Sequence, residues 1–264
     1  MKFAKIALGA AVAAFAFTSC QTEEAVNINN IEGEVLEALA DNGFSTTDVV
    51  RTETGYLVEG DINMSYDEIM TFVPAAEQYR TTNLVNAGSG RNITISPDSR
   101  YDAAMIAGLD EAIARYNAEN LTISFTKVAS GASADINMNR LRKGEERQGI
   151  LGSAGFPTAS GDPYGEIKMS GILQSTYGLG TNGIATIIAH EMGHCIGFRH
   201  TDYFNRGISC GSGGNEGAST VGAIHIPGTP TGATLSAKSF MLSCTDGGDR
   251  PFNNDDKTAL NYLY

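Results

Sequence analysis

Three of the four histidines in this chain fall within eleven residues: His190-Glu191-Met192-Gly193-His194-Cys195-Ile196-Gly197-Phe198-Arg199-His200. No other stretch limits the fold so tightly. Ile184, Ile187 and Ile188 lead into it at helical spacing, which predicts a helix over 184–198 with one buried side. Residues four apart on a helix sit one turn above each other, so His190 and His194 present two imidazoles on one face, as a single Zn2+ requires. Glu191 is rotated about 100° around the axis. It is badly placed to be a third ligand but well placed to reach a water beside the metal. Gly197 lets the helix stop in left-handed backbone, and His200 returns as the third ligand. Three neutral imidazoles leave one coordination position open, the mark of a catalytic zinc; a structural site fills all four with protein groups.

HExxHxxGxxH is the signature of the metzincin zinc endopeptidases, and this version of it most resembles the bacterial dual-action HEIGH metallopeptidase family. The resemblance extends over roughly Arg91 to Tyr264. It implies an α+β catalytic domain, with a twisted mixed sheet and two main helices above a substrate cleft and an irregular lower subdomain below. Ser239-Phe240-Met241 resembles the turn whose Met packs under the three imidazoles, giving Met241 a structural role. Asn254 to Tyr264 resembles the closing helix of metzincin catalytic domains. The activity implied is zinc-dependent endopeptidase, with one Zn2+ on His190, His194 and His200. Glu191 would be the general base that deprotonates water and the acid that protonates the leaving amine. Gly149 to Pro157 resembles the upper-rim edge strand, along which a peptide or protein substrate lies extended by strand addition. Two positions depart from the better-known subfamilies: Ser243 stands where some carry a Tyr, and Thr201 follows His200. His225 has two readings, lining the primed-side pocket or a simple structural role.

The N-terminus has its own pattern. Lys2 and Lys5 precede an apolar run, Ile6 to Phe17, of signal-peptide length and too short to span a membrane. It ends in Phe17-Thr18-Ser19-Cys20 and resembles a bacterial lipoprotein signal, with Phe17 where Leu or Val is usual; plain secretion is the alternative. Acylated Cys20 would anchor the chain to the outer membrane, periplasm-facing or surface-exposed. The expected domains are a signal peptide over 1–19, a tether and small pro-segment-like domain over 20–88, and a catalytic domain over 89–264. Residues 80–92 have linker composition. Val58-Glu59-Gly60-Asp61-Ile62 resembles the FxGDI element of astacin prosegments, with Val58 for Phe. It implies latency through Asp61, whose carboxylate can take the fourth zinc position.

Elsewhere the pattern predicts short helices over 31–39 and 66–72, two strands within 46–61, and a long helix over 101–118 capped by Asp98 or Ser99. Strands are expected near 92–95, 121–128, 134–138, 150–156 and 165–169, and a terminal helix over 253–264. Lys and Arg number 18 against 30 Asp and Glu. So acidic a surface repels phosphate backbones and excludes nucleic acid as a partner. With Cys20 in the anchor and Cys195 a small buried hydrophobe on the motif helix, Cys210 and Cys244 are expected to form a disulfide under the metal. The loops near Asp162 and Asp246 to Asp249 raise calcium as a second ion, although carboxylates in Gly-rich loops are more often just solvated. A monomer is expected. Two rival readings are an adhesion or glycan-binding lipoprotein using the zinc fold as scaffold, and a zinc hydrolase acting on amide bonds in cell-wall or small-molecule substrates.

Overall fold

The computed structural model describes residues 31–41, 44–71, 80–214, 224–230 and 232–264. The signal-like stretch, Cys20, the tether over 21–30 and the Asn42-Gly43 stop lie outside the described residues.

The first elements form a small unit with its own core. Helix α1 (Gly33–Asp41) is followed by β1 (Val50–Arg51), β2 (Tyr56–Val58), β3 (Ile62–Met64) and α2 (Tyr66–Thr71). The three strands make an antiparallel sheet in chain order. Val35 and Leu39, one helical turn apart, pack with Tyr56, Val58, Ile62 and Ile69. Strand β3 was not expected: three residues are too few for a periodic signal, yet all three are buried, so packing decides the conformation.

The larger body begins with β4 (Arg91–Pro97), α3 (Ala103–Asn117), β5 (Ile123–Lys127) and β6 (Ile136–Arg140). It continues with α4 (Lys143–Arg147), β7 (Gly152–Ser153), β8 (Glu166–Met169), α5 (Thr181–Ile196), α6 (Gly207–Cys210) and α7 (Asn254–Leu263). Its sheet runs β5-β4-β6-β8-β7, parallel except for the antiparallel edge strand β7. Helices α3 and α5 pack together on it. Met105, Leu109, Ala112, Ile113 and Tyr116 form the stripe of α3 that faces the core, and α5 is buried on nearly every side from Gly183 onward. The architecture is therefore the expected α+β arrangement of a mixed sheet with two main helices. Cys210 and Cys244 are joined by a disulfide with a Cα separation of 5.2 Å, while Cys195 is free and buried.

Two local expectations need correction. The cap of α3 is Asp102, whose carboxylate accepts from the Met105 amide at 2.9 Å. Asp98 is instead held by the backbone and guanidinium of Arg100, so the cap lies one turn later and the helix begins at Ala103, two residues past the expected start. Residues 80–90 are not a loose linker, because their backbone is bonded to the body. The Thr81 amide donates to the Gly197 carbonyl at 2.8 Å, and the Val85 amide to the Tyr264 hydroxyl at 3.1 Å. Polar composition there reflects this backbone pairing and partial exposure.

Candidate metal centre

Helix α5 delivers two imidazoles and ends abruptly. Gly197 caps it at φ 110, and the Gly197 and Phe198 amides return to the His194 and Gly193 carbonyls. The chain then turns back and brings His200 opposite His190 and His194. Nδ1 of His190 lies 2.9 Å from the Phe240 carbonyl, and Nδ1 of His194 lies 2.8 Å from the Phe198 carbonyl. A carbonyl can only accept, so each Nδ1 carries the proton and each Nε2 offers its lone pair inward. Burial pushes His194 down to about 4, which keeps it neutral at ordinary pH.

The fourth group is Asp61, from the turn between β2 and β3. Its Oδ2 lies 2.8 Å from His200 Nε2, 3.0 Å from His190 Nε2 and 3.8 Å from His194 Nε2. Burial alone would raise this carboxyl, but the three imidazoles facing it hold it well below the usual range. One ligand atom from each of the four residues falls within 4.8 Å of the others, and no second cluster of this kind occurs among the described residues. His194 Nε2 and Asp61 Oδ1 are buried without a hydrogen-bond partner. Convergent imidazole nitrogens plus a carboxylate are the donor set that Zn2+ takes. These residues therefore fit the metal.

Glu191 is buried beside the cluster, and its Oε2 also has no hydrogen-bond partner. Burial raises its carboxyl well above the ordinary range, and the negative Asp61 adds to the effect. Met241 lies under α5: a Cβ at Gly193 would meet its Sδ at 2.5 Å, so the small residue between His190 and His194 makes room for the Met. The expected substrate edge is already taken. Residues 61–63 run parallel to β7, with the Ala154 amide donating to the Asp61 carbonyl at 2.8 Å and the Asn63 amide to the Ala154 carbonyl at 2.6 Å. Asn63 Nδ2 also donates to the Ser153 hydroxyl at 2.6 Å.

Several neighbours of the site were not picked out in the sequence. Arg199, inside the motif, is bound to Glu59 of the N-terminal unit. Asp202 is fully buried two residues past His200 and ties the turn to the chain after Met241, accepting from the Ser243 amide and hydroxyl at 2.9 and 2.8 Å. A carboxylate two residues past the third histidine was the only local signal. Ser243 thus has a structural partner. His225 bonds the Thr229 carbonyl and lies outside the cavity beside His190. Asp162 pairs with Arg91, and Asp249 with Arg115.

Two imidazoles on one helical face, a third beyond a glycine cap and a buried glutamate between them define a zinc metallopeptidase. The family model for the dual-action HEIGH metallo-peptidases matches residues 56–264, and the chain belongs to that family. Among solved structures, the chain is similar to high choriolytic enzyme 1, a hatching-enzyme zinc protease from Oryzias latipes (medaka fish). That protein is 18% identical, with 66% of this chain and 88% of the other covered at a TM-score of 0.38. Myroilysin is 12% identical, with 74% and 92% covered at a TM-score of 0.41. No curated protein matches the chain.

Proposed function

We propose that the protein is a zinc endopeptidase in which His190, His194 and His200 hold the metal and Glu191 is the general base and acid. Zinc, when bound, supplies a Lewis acid for the scissile carbonyl and lowers the pKa of the attacking water toward about 7. Glu191 takes the proton from that water and returns it to the leaving amine. Its raised affinity for protons suits both halves of this transfer, and the β7 edge holds the substrate extended. Met241 supports the imidazoles from below. Asp61 occupies the site until the N-terminal unit is displaced, so residues 20–88 act as a pro-segment and 89–264 as the catalytic domain. The sequence also supports removal of residues 1–19, acylation of Cys20 and attachment to the outer membrane.

The observation that carries this reading is the buried Glu191 beside three converging imidazoles. A binding scaffold has no need of a base there. Digestion of casein or gelatin, abolished by a chelator and by Glu191→Ala, tests it. Zinc bound with no cleavage of any unfolded protein would favour the scaffold reading.

A further inference from the structure

We infer that Gly152 is a positioning residue for the general base: the bare α-carbon of β7 at this point sets where the Glu191 carboxylate can sit. The inference rests on the peptidase reading above and deepens it, by assigning the part of the chain that fixes the base relative to the substrate edge. A Cβ added at Gly152 would lie 2.5 Å from Glu191 Oε1 and 3.0 Å from both Cδ and Cγ. The outer half of the Glu191 arm therefore rests against the backbone of β7. Both residues are buried, and both line a cavity of about 380 Å3 that opens beside His190.

Backbone conformation does not call for glycine here. Gly152 lies in ordinary strand backbone, outside the left-handed region, so no turn requires it. A glycine inside a strand weakens it and marks a close approach by another group. Between the two main helices the group approached belongs to the core: a Cβ at Gly108 of α3 would meet Cγ2 and Cβ of Ile184 on α5 at 2.5 and 3.0 Å. At Gly152 the group is the end of a flexible, unbranched side chain that faces the cavity. An added methyl would be relieved by rotation of the Glu191 arm and not by movement of the backbone, so its cost falls on the base and not on the fold.

Strand β7 is itself held on one side. Gly152 pairs with Met169 of β8, and the Ser170 amide donates to the Leu151 carbonyl at 2.8 Å. On the other side Ala154 exchanges backbone hydrogen bonds with Asp61 and Asn63, in the place the substrate is proposed to take. One short stretch, residues 151–154, therefore carries both the backbone that aligns the substrate and the surface that stops the base. Oε2 of Glu191 is buried without a hydrogen-bond partner, so no bond ties that end of the arm. Contact with β7 fixes it instead. A displacement of about 1 Å at a reacting group is enough to cost about 100-fold in rate.

The experiment uses the zinc-loaded protein in the form that digests casein, with a quenched peptide taken from one of its cuts. Gly152→Ala should lower kcat by about 10- to 100-fold and leave KM within about twofold of wild type. Its zinc content and Tm should match those of the wild type. The route is tested in a Glu191→Ala background, where the residual rate, read in single turnovers with enzyme in excess, should be the same with and without Gly152→Ala. If that residual rate is too low to read, the fall in kcat at constant KM and Tm decides. An unchanged kcat in Gly152→Ala overturns the inference and leaves the peptidase reading standing. An equal fold-loss in the Glu191→Ala background also overturns it, because the effect would then bypass the base. So does a Tm lowered by more than about 5 °C, or a variant that does not fold, since the methyl would then be resisted by the fold and not by the arm. Absence of any cleavage by the wild type overturns the peptidase reading and this inference with it.

Discussion

Nη2 of Arg199 donates to both carboxylate oxygens of Glu59, at 2.8 and 3.1 Å, with the two side chains 1% and 0% exposed. The pair joins the metal motif, one residue before His200, to the N-terminal unit, two residues before Asp61. The Phe44 and Phe156 rings lie 4.9 and 5.7 Å from the guanidinium carbon. Glu59 itself has left-handed backbone at φ 57, a conformation that costs a non-glycine residue energy. Strained backbone and a buried ion pair together place Asp61 among the imidazoles.

Removing one carboxylate of a buried pair weakens the compensation of the facing charge. Glu59→Gln should therefore destabilise the full chain by about 3–5 kcal/mol in urea unfolding. A loss under about 1 kcal/mol would mean that Arg199 is satisfied without Glu59.

Asp61→Ala should raise the activity of the uncut chain. An intramolecular carboxylate acts at an effective concentration near the mM range, so an increase above about tenfold is expected. The comparison is with a protein beginning near Asn92. If the uncut wild type already matches that truncated form, Asp61 does not enforce latency.

In an open helix, replacing Gly by Ala usually stabilises by about 0.5–1 kcal/mol. At Gly193 the sign should reverse, because the new Cβ would meet Met241 Sδ at 2.5 Å. Gly193→Ala is expected to cost about 1–3 kcal/mol, as overpacking does. A rise in Tm would show that Met241 can move aside.

Burial pushes Asp256 up to about 6, against the pull of the Ser239 hydroxyl and the Asn253 and Phe240 amides. The folded state then binds this proton more tightly than the unfolded chain does. Its contribution to stability is full below about pH 4, falls as pH rises to about 6, and is constant above; the total change is about 3 kcal/mol. The difference in unfolding free energy between wild type and Asp256→Asn should follow that curve. A flat difference from pH 4 to 7 would rule the shift out.

The parts of the molecule legible in the sequence are those set by local rules. The α5 ligand pair follows from helical spacing, its end from Gly197, and the Cys210 to Cys244 bridge from the assignment of the other two cysteines. Strands β4, β5, β6 and β8 were visible as apolar runs because both faces or alternate residues are buried. What stayed hidden depends on long-range packing. Nothing local to Glu59 announces Arg199, 140 positions away, and nothing near Arg250 announces the cavity it lines. The cap of α3 was misplaced because Asp98 and Asp102 look equally competent until Arg100 takes one of them.

The order of the chain also bears on how the site is made. Asp61 precedes His190 by 129 positions and sits in a unit whose core is built almost wholly from residues 35 to 69. Ribosomes release the N-terminal end first, and units with local contacts assemble early. Under the proposed latency, the unit that carries Asp61 can therefore fold before the three histidines have followed it, at the ribosome or on leaving an export channel. On that proposal, chain order alone leaves no interval in which a complete, open site precedes the group that closes it.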